Sequence, residues 1–90
     1  MQRSASKRQD QVPPKTLSDL PVGTHGVVRG LRGGKEFVGR VAVLGFTVGA
    51  EVAVVQNYGR GPIIVAVRDT RVALGRGEAA KIQVEVMRET

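Results

Sequence analysis

Hydrophobic and polar residues recur along this chain with two different periods, and the period changes within its first half. The segment THGVVRGL, which begins at Thr24, alternates, so Val28 faces the opposite side of a strand from its neighbours. Farther on, Phe37, Val41 and Leu44 have the i, i+4, i+7 spacing of one helix face. Gly45 follows, where a helix end favours a left-handed residue. The pattern predicts a strand and then a helix that ends at Gly45.

The second half of the chain consists of short β-branched segments separated by turns. The segments EVAVVQN, IIVAVR and RVAL predict strands over residues 51–57, 63–68 and 71–74, with a loop at YGRGP and a tight turn at Asp69-Thr70. One helical turn is expected near residues 78–81. The last segment, IQVEVM, alternates, which predicts that Ile82, Val84 and Val86 face inward.

Five short strands and one full-length helix predict a fold that is mainly β with one α-helix, in which the strands form a small, partly open barrel. A single helical turn in TLSDLPVG would bring Leu17 and Leu20 to the core and stop at Pro21. The residues before it contain little that is apolar, so they cannot bury enough surface to fold. The predicted organisation is a disordered basic tail over residues 1–15 and one domain over residues 16–90.

The length, the cysteine content and the charge of the chain exclude several classes of protein. Ninety residues are enough for one domain, and the absence of cysteine excludes disulfides and thiolate chemistry. No apolar run approaches the roughly 20 residues that span a bilayer. The net charge is +6, and the first sixteen residues hold four basic side chains against one acidic one. A basic tail suits anionic partners such as nucleic acid or lipid head groups, but it equally suits a solvated arm.

Side chains that carry catalysis or bind metals are sparse. The single histidine, His25, and the absence of cysteine leave little from which to build a nucleophile with its base or a transition-metal site. The segment GLRGGKEF is not a phosphate-binding loop, because its glycine spacing is wrong and Glu36 replaces the required serine or threonine. We therefore expect no enzyme, no catalytic or metal-ligating residue and no cofactor, and we interpret His25 as structural.

The aromatic residues bear on nucleic-acid binding. Small barrels bind single strands through a basic groove and stacked aromatic side chains. This chain has three aromatic residues, and Phe37 lies on the predicted buried face of the helix, which leaves Phe46 and Tyr58. We expect no nucleic-acid partner, although the basic charge keeps that alternative open. Tyr58 and Arg60 share a glycine-rich loop, which is a candidate protein contact.

The corner after the helix is a second candidate surface. A helical wheel places Val43 away from the core face, on the side of Glu36 and Arg40, which are spaced to pair with each other. Together with Phe46 and Val48, Val43 would form an apolar patch beside Arg40. Apolar patches with an arginine at the rim are typical of protein-binding surfaces. The alternative is that Phe46 and Val48 fold inward and close the barrel.

The ordered set of motifs resembles the FeoA family of bacterial ferrous iron transport. The matching segments are LSDLPVGTHGVV, GRVAVLGFTVGAEVAVV, GPIIVAVRDTRVAL and EAAKIQVEV, and they extend from Leu17 to about Glu89. Two departures are mild: Arg40-Val41 stands where the family has Arg-Leu, and Val48-Gly49 stands where it has Pro-Gly.

The resemblance implies an SH3-like barrel and a non-enzymatic accessory role. It implies a cytoplasmic protein that binds and modulates FeoB, the membrane transporter of ferrous iron, and reaches the inner face of the membrane only through that transporter. Transition-metal binding is a term attached to the family, and no ligand set for it is visible in this sequence. The alternatives are a small basic barrel that binds single-stranded RNA or DNA, and a stand-alone metal-responsive module. Exposed strand edges also leave a homodimer open.

Overall fold

The computed structural model describes residues 15–87, which form an antiparallel sheet with two helices and a 3-10 turn. The strands are β1 (Lys15–Thr16), β2 (His25–Leu31), β3 (Glu51–Gln56), β4 (Ile63–Val67), β5 (Thr70–Leu74) and β6 (Ile82–Val86). The 3-10 turn spans Leu17–Asp19, and the helices are α1 (Lys35–Leu44) and α2 (Arg76–Ala79). The strands lie in the order β1-β6-β2-β3-β4-β5, with β1 and β5 at the two edges.

The prediction of a mainly β fold with one main helix is confirmed, but the strand count is six within residues 15–87 rather than five. The additional strand is β1, in which Lys15 pairs with Val84 and Thr16 with Gln83. A two-residue strand has no alternation from which a sequence pattern can predict it. The tail predicted for residues 1–15 lies outside the described residues, apart from Lys15.

The core lies on the inner face of the sheet, and alternate residues of β3, β4 and β6 supply seven of its fifteen side chains, as the period of two requires. Leu17 and Leu20 are both buried, as the single turn before β2 predicts. The buried apolar side chains of the strands are Val28, Val52, Val54, Ile63, Val65, Val67, Leu74, Ile82 and Val84. Phe37 and Val41 of α1 and Phe46 of the following corner pack into the same cluster.

At Gly26 the backbones of β2 and β6 approach each other closely. Strand β2 lies in the middle of the sheet, and Gly26 is opposite Val86 of β6 and Val52 of β3. A β-carbon on Gly26 would overlap Cγ1 of Val84 and lie 2.8 Å from the carbonyl oxygen of Glu85. The sheet therefore closes at this point only because residue 26 has no side chain.

The end of α1 fixes the direction of the corner that follows. Gly45 is left-handed, with φ of 111°, as its position after the apolar stripe predicts. The N–H of Gly45 donates to the carbonyl of Ala42, and the N–H of Phe46 donates to the carbonyl of Val41. These two bonds make a Schellman motif, in which the residue after the glycine usually packs against the last turn of the helix. Phe46 is accordingly directed into the core.

A polar cluster ties together three segments that are far apart in sequence. The guanidinium of Arg76, at the start of α2, donates to the carbonyls of Gly61 and Ser18, and to Oδ1 of Asn57 at 2.9 Å. Nδ2 of Asn57 in turn donates to the carbonyl of Leu20 at 2.8 Å. We call this set the Arg76 clasp. It joins the 3-10 turn, the β3–β4 loop and α2, which are the elements that must meet to close this end of the barrel.

Removing the clasp is expected to loosen that end of the barrel. Arg76→Ala would leave three acceptors, two of them partly buried, without their charged donor, so we expect the free energy of unfolding to fall by about 2 kcal/mol. Arg76→Lys should recover only part of this, because an ammonium lacks the planar fork of a guanidinium. Chemical denaturation measures both, with Arg32→Ala, a change at an exposed arginine, as the control. Equal losses for Arg76→Ala and Arg32→Ala would show that the clasp does not stabilise the fold.

Two predictions about the turns and strand ends are wrong. The β4–β5 turn is formed by Arg68 and Asp69, not by Asp69 and Thr70, because Thr70 already pairs with Val67. Arg68 and Asp69 have φ of 50° and 64°, which are the left-handed values of a two-residue type I′ hairpin turn. Val86 is exposed rather than inward, because it ends β6 opposite Gly26, which offers it no side chain to pack against.

Two predictions about α1 also need correction. The apolar spacing predicts Leu44 on the core face, but it is partly exposed, because the chain reverses at Gly45 and Phe46 enters the core instead. The i, i+4 spacing predicts that Glu36 and Arg40 pair, but Nη2 of Arg40 donates to Oε2 of Glu78 at 2.9 Å. The ion pair therefore joins α1 to α2 rather than stabilising α1 alone.

Candidate protein-binding surface

An exposed apolar patch lies where α1 ends and the chain turns towards β3. Val43 is 86% exposed and Val48 is 62% exposed, while Leu44 between them is 39% exposed. The corner that carries them is rigid, because Val28 of β2 accepts from the N–H of Gly49 and donates to the carbonyl of Ala50. We call Val43, Leu44 and Val48 the corner patch. The backbone of the corner therefore fixes these side chains in their solvent-exposed positions.

Phe46 does not belong to this patch. Its side chain is fully buried in the core, so the prediction that Phe46 lies on an exposed surface is wrong. The Schellman motif at Gly45 explains the difference, since it places the residue after the glycine over Val41. The other two apolar members of the predicted patch, Val43 and Val48, are exposed as a docking surface requires. Leu44, which the helical spacing assigns to the core, takes the place of Phe46.

Arg68 lies beside the corner patch, although no local pattern in the sequence indicates that position. A β-carbon on Gly45 would lie 3.2 Å from Cδ of Arg68, so the arginine side chain runs along the end of α1. A cation at the C-terminal end of a helix interacts favourably with the carbonyl groups there. The signal that would have found it is topological: the β4–β5 turn returns to the end of β3 at which the corner lies.

Arg40 lies about one helical turn before the patch, and its guanidinium already has an acidic partner within the protein. Besides the ion pair with Glu78, its guanidinium lies 5.7 Å from the ring centre of Phe37, and the ammonium of Lys81 lies 5.1 Å from the same ring. The hydrogen bond from Arg40, and then the N–H of Gly75, lower the pKa of Glu78. The pair is therefore intact at neutral pH and is lost only as acid protonates Glu78. Arg40 is better placed to join the helices than to meet a partner.

Tyr58 and Arg60, the second candidate contact, are exposed in the β3–β4 loop. The loop follows β3 whereas the corner patch precedes it, so the two candidates lie at opposite ends of a six-residue strand. At about 3.3 Å per residue they are roughly 20 Å apart. The base of the loop is fixed by the Arg76 clasp and by the N–H of Gly59, which donates to Oδ1 of Asn57. The structure thus separates the predicted contacts into two surfaces.

The described residues show no arrangement suited to metal binding. Residues 15–87 contain no group of three or more histidine, aspartate or glutamate side chains placed to hold one ion. His25 is exposed at the start of β2. None of the helices in the part of the chain that the structure describes is long and apolar enough to cross a bilayer.

The aromatic side chains do not form a platform for bases. All three aromatic residues of the chain lie within the described range, and Phe37 and Phe46 are both buried. Tyr58 is therefore the one exposed aromatic side chain, whereas stacking successive bases takes several.

Comparison with known proteins identifies the family. The FeoA domain model matches residues 15–86. Fe(2+) transport protein A of Methanocaldococcus jannaschii is 32% identical over 63 residues, which cover 70% of this chain and 76% of that protein.

Solved structures agree with this assignment. The crystal structure of an iron uptake regulatory protein, FeoA, is 33% identical, with a TM-score of 0.77 over 84% of this chain and 97% of that one. FeoA of Stenotrophomonas maltophilia in complex with zinc, described as an SH3 domain protein, is 36% identical, with a TM-score of 0.69 over 78% of this chain and 88% of that one. The fold is thus SH3-like, and the chain belongs to the FeoA family, whose named members are linked to ferrous iron transport.

Proposed function

We propose that this chain is a non-enzymatic cytoplasmic accessory protein that binds and modulates a FeoB-type ferrous iron transporter through a protein–protein surface. The observation that carries the proposal is the corner patch, three apolar side chains held towards solvent on a rigid corner. Apolar side chains on a preorganised backbone lose little entropy when a partner covers them, so such a patch favours docking. Family membership supplies the transport context.

The net charge of the domain and the position of Arg68 indicate the chemistry of the partner. Residues 15–87 hold ten lysine and arginine side chains against six aspartate and glutamate side chains. Arg68, beside the patch, has a left-handed backbone that costs an arginine free energy and that asparagine or glycine would adopt more readily. An arginine in this position next to exposed valines favours an acidic segment on the transporter, which the net positive charge of the domain would also steer to the site.

The test is a pull-down of the full chain with the cytoplasmic region of the transporter as bait. We expect Val43→Asp with Val48→Asp to abolish binding, because each change puts a carboxylate into an apolar contact that faces an acidic partner. Val22→Asp is the matched control, since Val22 is an exposed valine in the turn before β2, at the far end of β3. Arg68→Asn should weaken binding while keeping the left-handed turn.

Two results would contradict this assignment. Undiminished binding by the Val43→Asp/Val48→Asp variant, with its fold intact, would remove the corner patch as the docking surface. Loss of binding in Tyr58→Ser/Arg60→Ser but not in the corner variant would move the docking surface to the β3–β4 loop. Failure of the unmodified chain to bind the transporter would overturn the proposed function itself.

Nucleic-acid binding is the alternative that the charge keeps open. It predicts that oligonucleotides bind with an affinity that falls steeply as salt rises, through release of counterions from the backbone. Docking on a transporter predicts instead that a single-stranded oligonucleotide shows no saturable binding at physiological salt. A titration at two salt concentrations separates the two functions.

A further inference from the structure

We propose that two copies of this chain associate through β5. The two β5 strands pair antiparallel across a two-fold axis and join the two sheets into one. This inference does not depend on the proposed transport role. In the described part of the chain, β5 is an edge strand whose one strand neighbour is β4, and its other side has no strand beside it. An edge of this kind presents unpaired backbone donors and acceptors to a second chain.

The register within the β4–β5 hairpin shows which backbone groups are free. Val67 and Thr70 close the two-residue turn as a hydrogen-bonded pair, and alternation then directs the N–H and C=O of Thr70, Val72 and Leu74 towards β4. The N–H and C=O of Arg71 and Ala73 point away from the sheet. The free edge therefore offers two residues, each with one donor and one acceptor.

One self-pairing uses all four of these groups. If Val72 lies opposite Val72 of the second copy, Arg71 faces Ala73 of that copy, and Ala73 faces its Arg71. Both pairs are then hydrogen-bonded pairs with two backbone bonds each, which gives four bonds between the chains. A shift that sets Arg71 opposite Arg71 would face like charges. A shift the other way would pair Arg71 with Gly75, whose N–H already donates to Glu78.

Side chains on both faces of the sheet fit this pairing. On the outer face of the sheet, Ala53 lies opposite Ala66 and Ile64 opposite Ala73, so the middle of β3 and of β4 presents apolar side chains there. A second copy would extend this apolar surface, and the aliphatic stem of Arg71 would cover Ala73 of the second copy. On the inner face, the partly exposed Val72 would meet its equivalent at the short distance of a non-hydrogen-bonded pair. Five residues bury little area, so the dimer is weak and its population depends on concentration.

Sedimentation velocity of the full chain over a range of concentrations gives the dissociation constant of the dimer, and variants that change the charge of paired residues test the proposed register. Ala73→Lys would place an ammonium opposite Arg71 twice in each dimer, and we expect the dissociation constant to rise about tenfold. Ala73→Glu places a carboxylate there instead and should lower the dissociation constant by a similar factor. The double variant Ala73→Lys/Arg71→Glu should dimerise about as well as Ala73→Glu. Because residues 71 and 73 are both exposed, these variants should melt at nearly the same temperature as the unmodified chain.

Either of two outcomes overturns the inference. A chain that remains monomeric up to ~1 mM, at which even very weak self-association is visible, would show that β5 does not pair with itself. Dimerisation with the same dissociation constant in Ala73→Lys and Ala73→Glu would place the interface elsewhere on the molecule.

Discussion

Phe46→Ala is expected to lower the free energy of unfolding by about 3–5 kcal/mol, the usual cost of removing a buried aromatic ring. The ring is fully buried in the core, and it follows a glycine whose left-handed conformation gives it no alternative direction. A domain of this size is stable by only about 5–15 kcal/mol, so the loss is a large share of the total. Chemical denaturation followed by circular dichroism measures it.

Val48→Ala, two residues along the same corner, is the matched control. Val48 is mostly exposed, so its truncation should change the free energy of unfolding by no more than about 0.5 kcal/mol. Similar losses for Phe46→Ala and Val48→Ala would mean that the corner is loose and that Phe46 is not anchored in the core. The contrast also means that a substitution at Phe46 cannot serve as a test of docking.

Gly26→Ala is expected to be the other severe change, with a loss of about 3 kcal/mol or more in the free energy of unfolding. The added methyl group would meet the side chain of Val84 and the carbonyl oxygen of Glu85, and a backbone oxygen cannot move aside without separating β2 from β6. Thermal unfolding should show a lower midpoint or no cooperative transition.

Gly39→Ala is the control that separates the steric clash at Gly26 from the general effect of replacing a glycine. Residue 39 lies on the exposed side of α1, and a β-carbon there would have nothing within 4 Å. Alanine favours a helix over glycine by about 0.5–1 kcal/mol, so this variant should be more stable than the unmodified chain. A stable Gly26→Ala variant would show that β2 and β6 are not in the tight contact described.

The order of elements was predictable because each follows from a local pattern. The spacing of Phe37 and Val41 predicts the helix face, and Gly45 predicts its end. The alternation around Val84 similarly predicts β6. These patterns involve residues that are close in sequence, so their spacing directly reflects the period of the helix or strand.

The burial of Phe46 was within reach of the sequence but needed one further step. A glycine that ends a helix in the left-handed conformation predicts a contact between the following residue and the last helical turn. Applied to Gly45, this rule places Phe46 against Val41, where the structure has it. The sequence prediction stopped at the glycine, so it placed Phe46 on the candidate surface and left an inward orientation as the alternative.

The position of Arg68 beside the corner and the Arg76 clasp were not predictable in the same way. Arg76 meets Ser18 across 58 residues, and Arg68 meets the end of α1 only after the sheet has brought β4 back to it. Such contacts follow from the packing of the whole barrel, and no local period in the sequence encodes them.

We propose the corner patch as the surface through which this FeoA-family chain acts. The most direct measurement is a calorimetric titration of the cytoplasmic region of the transporter with the full chain and with its Val43→Asp/Val48→Asp variant. Replacing two apolar side chains at the centre of an interface lowers the affinity by about 30-fold or more. We predict that fall for the corner variant, together with unchanged affinity for Val22→Asp. Equal affinities for the corner variant and the unmodified chain would show that the corner patch is not the docking surface.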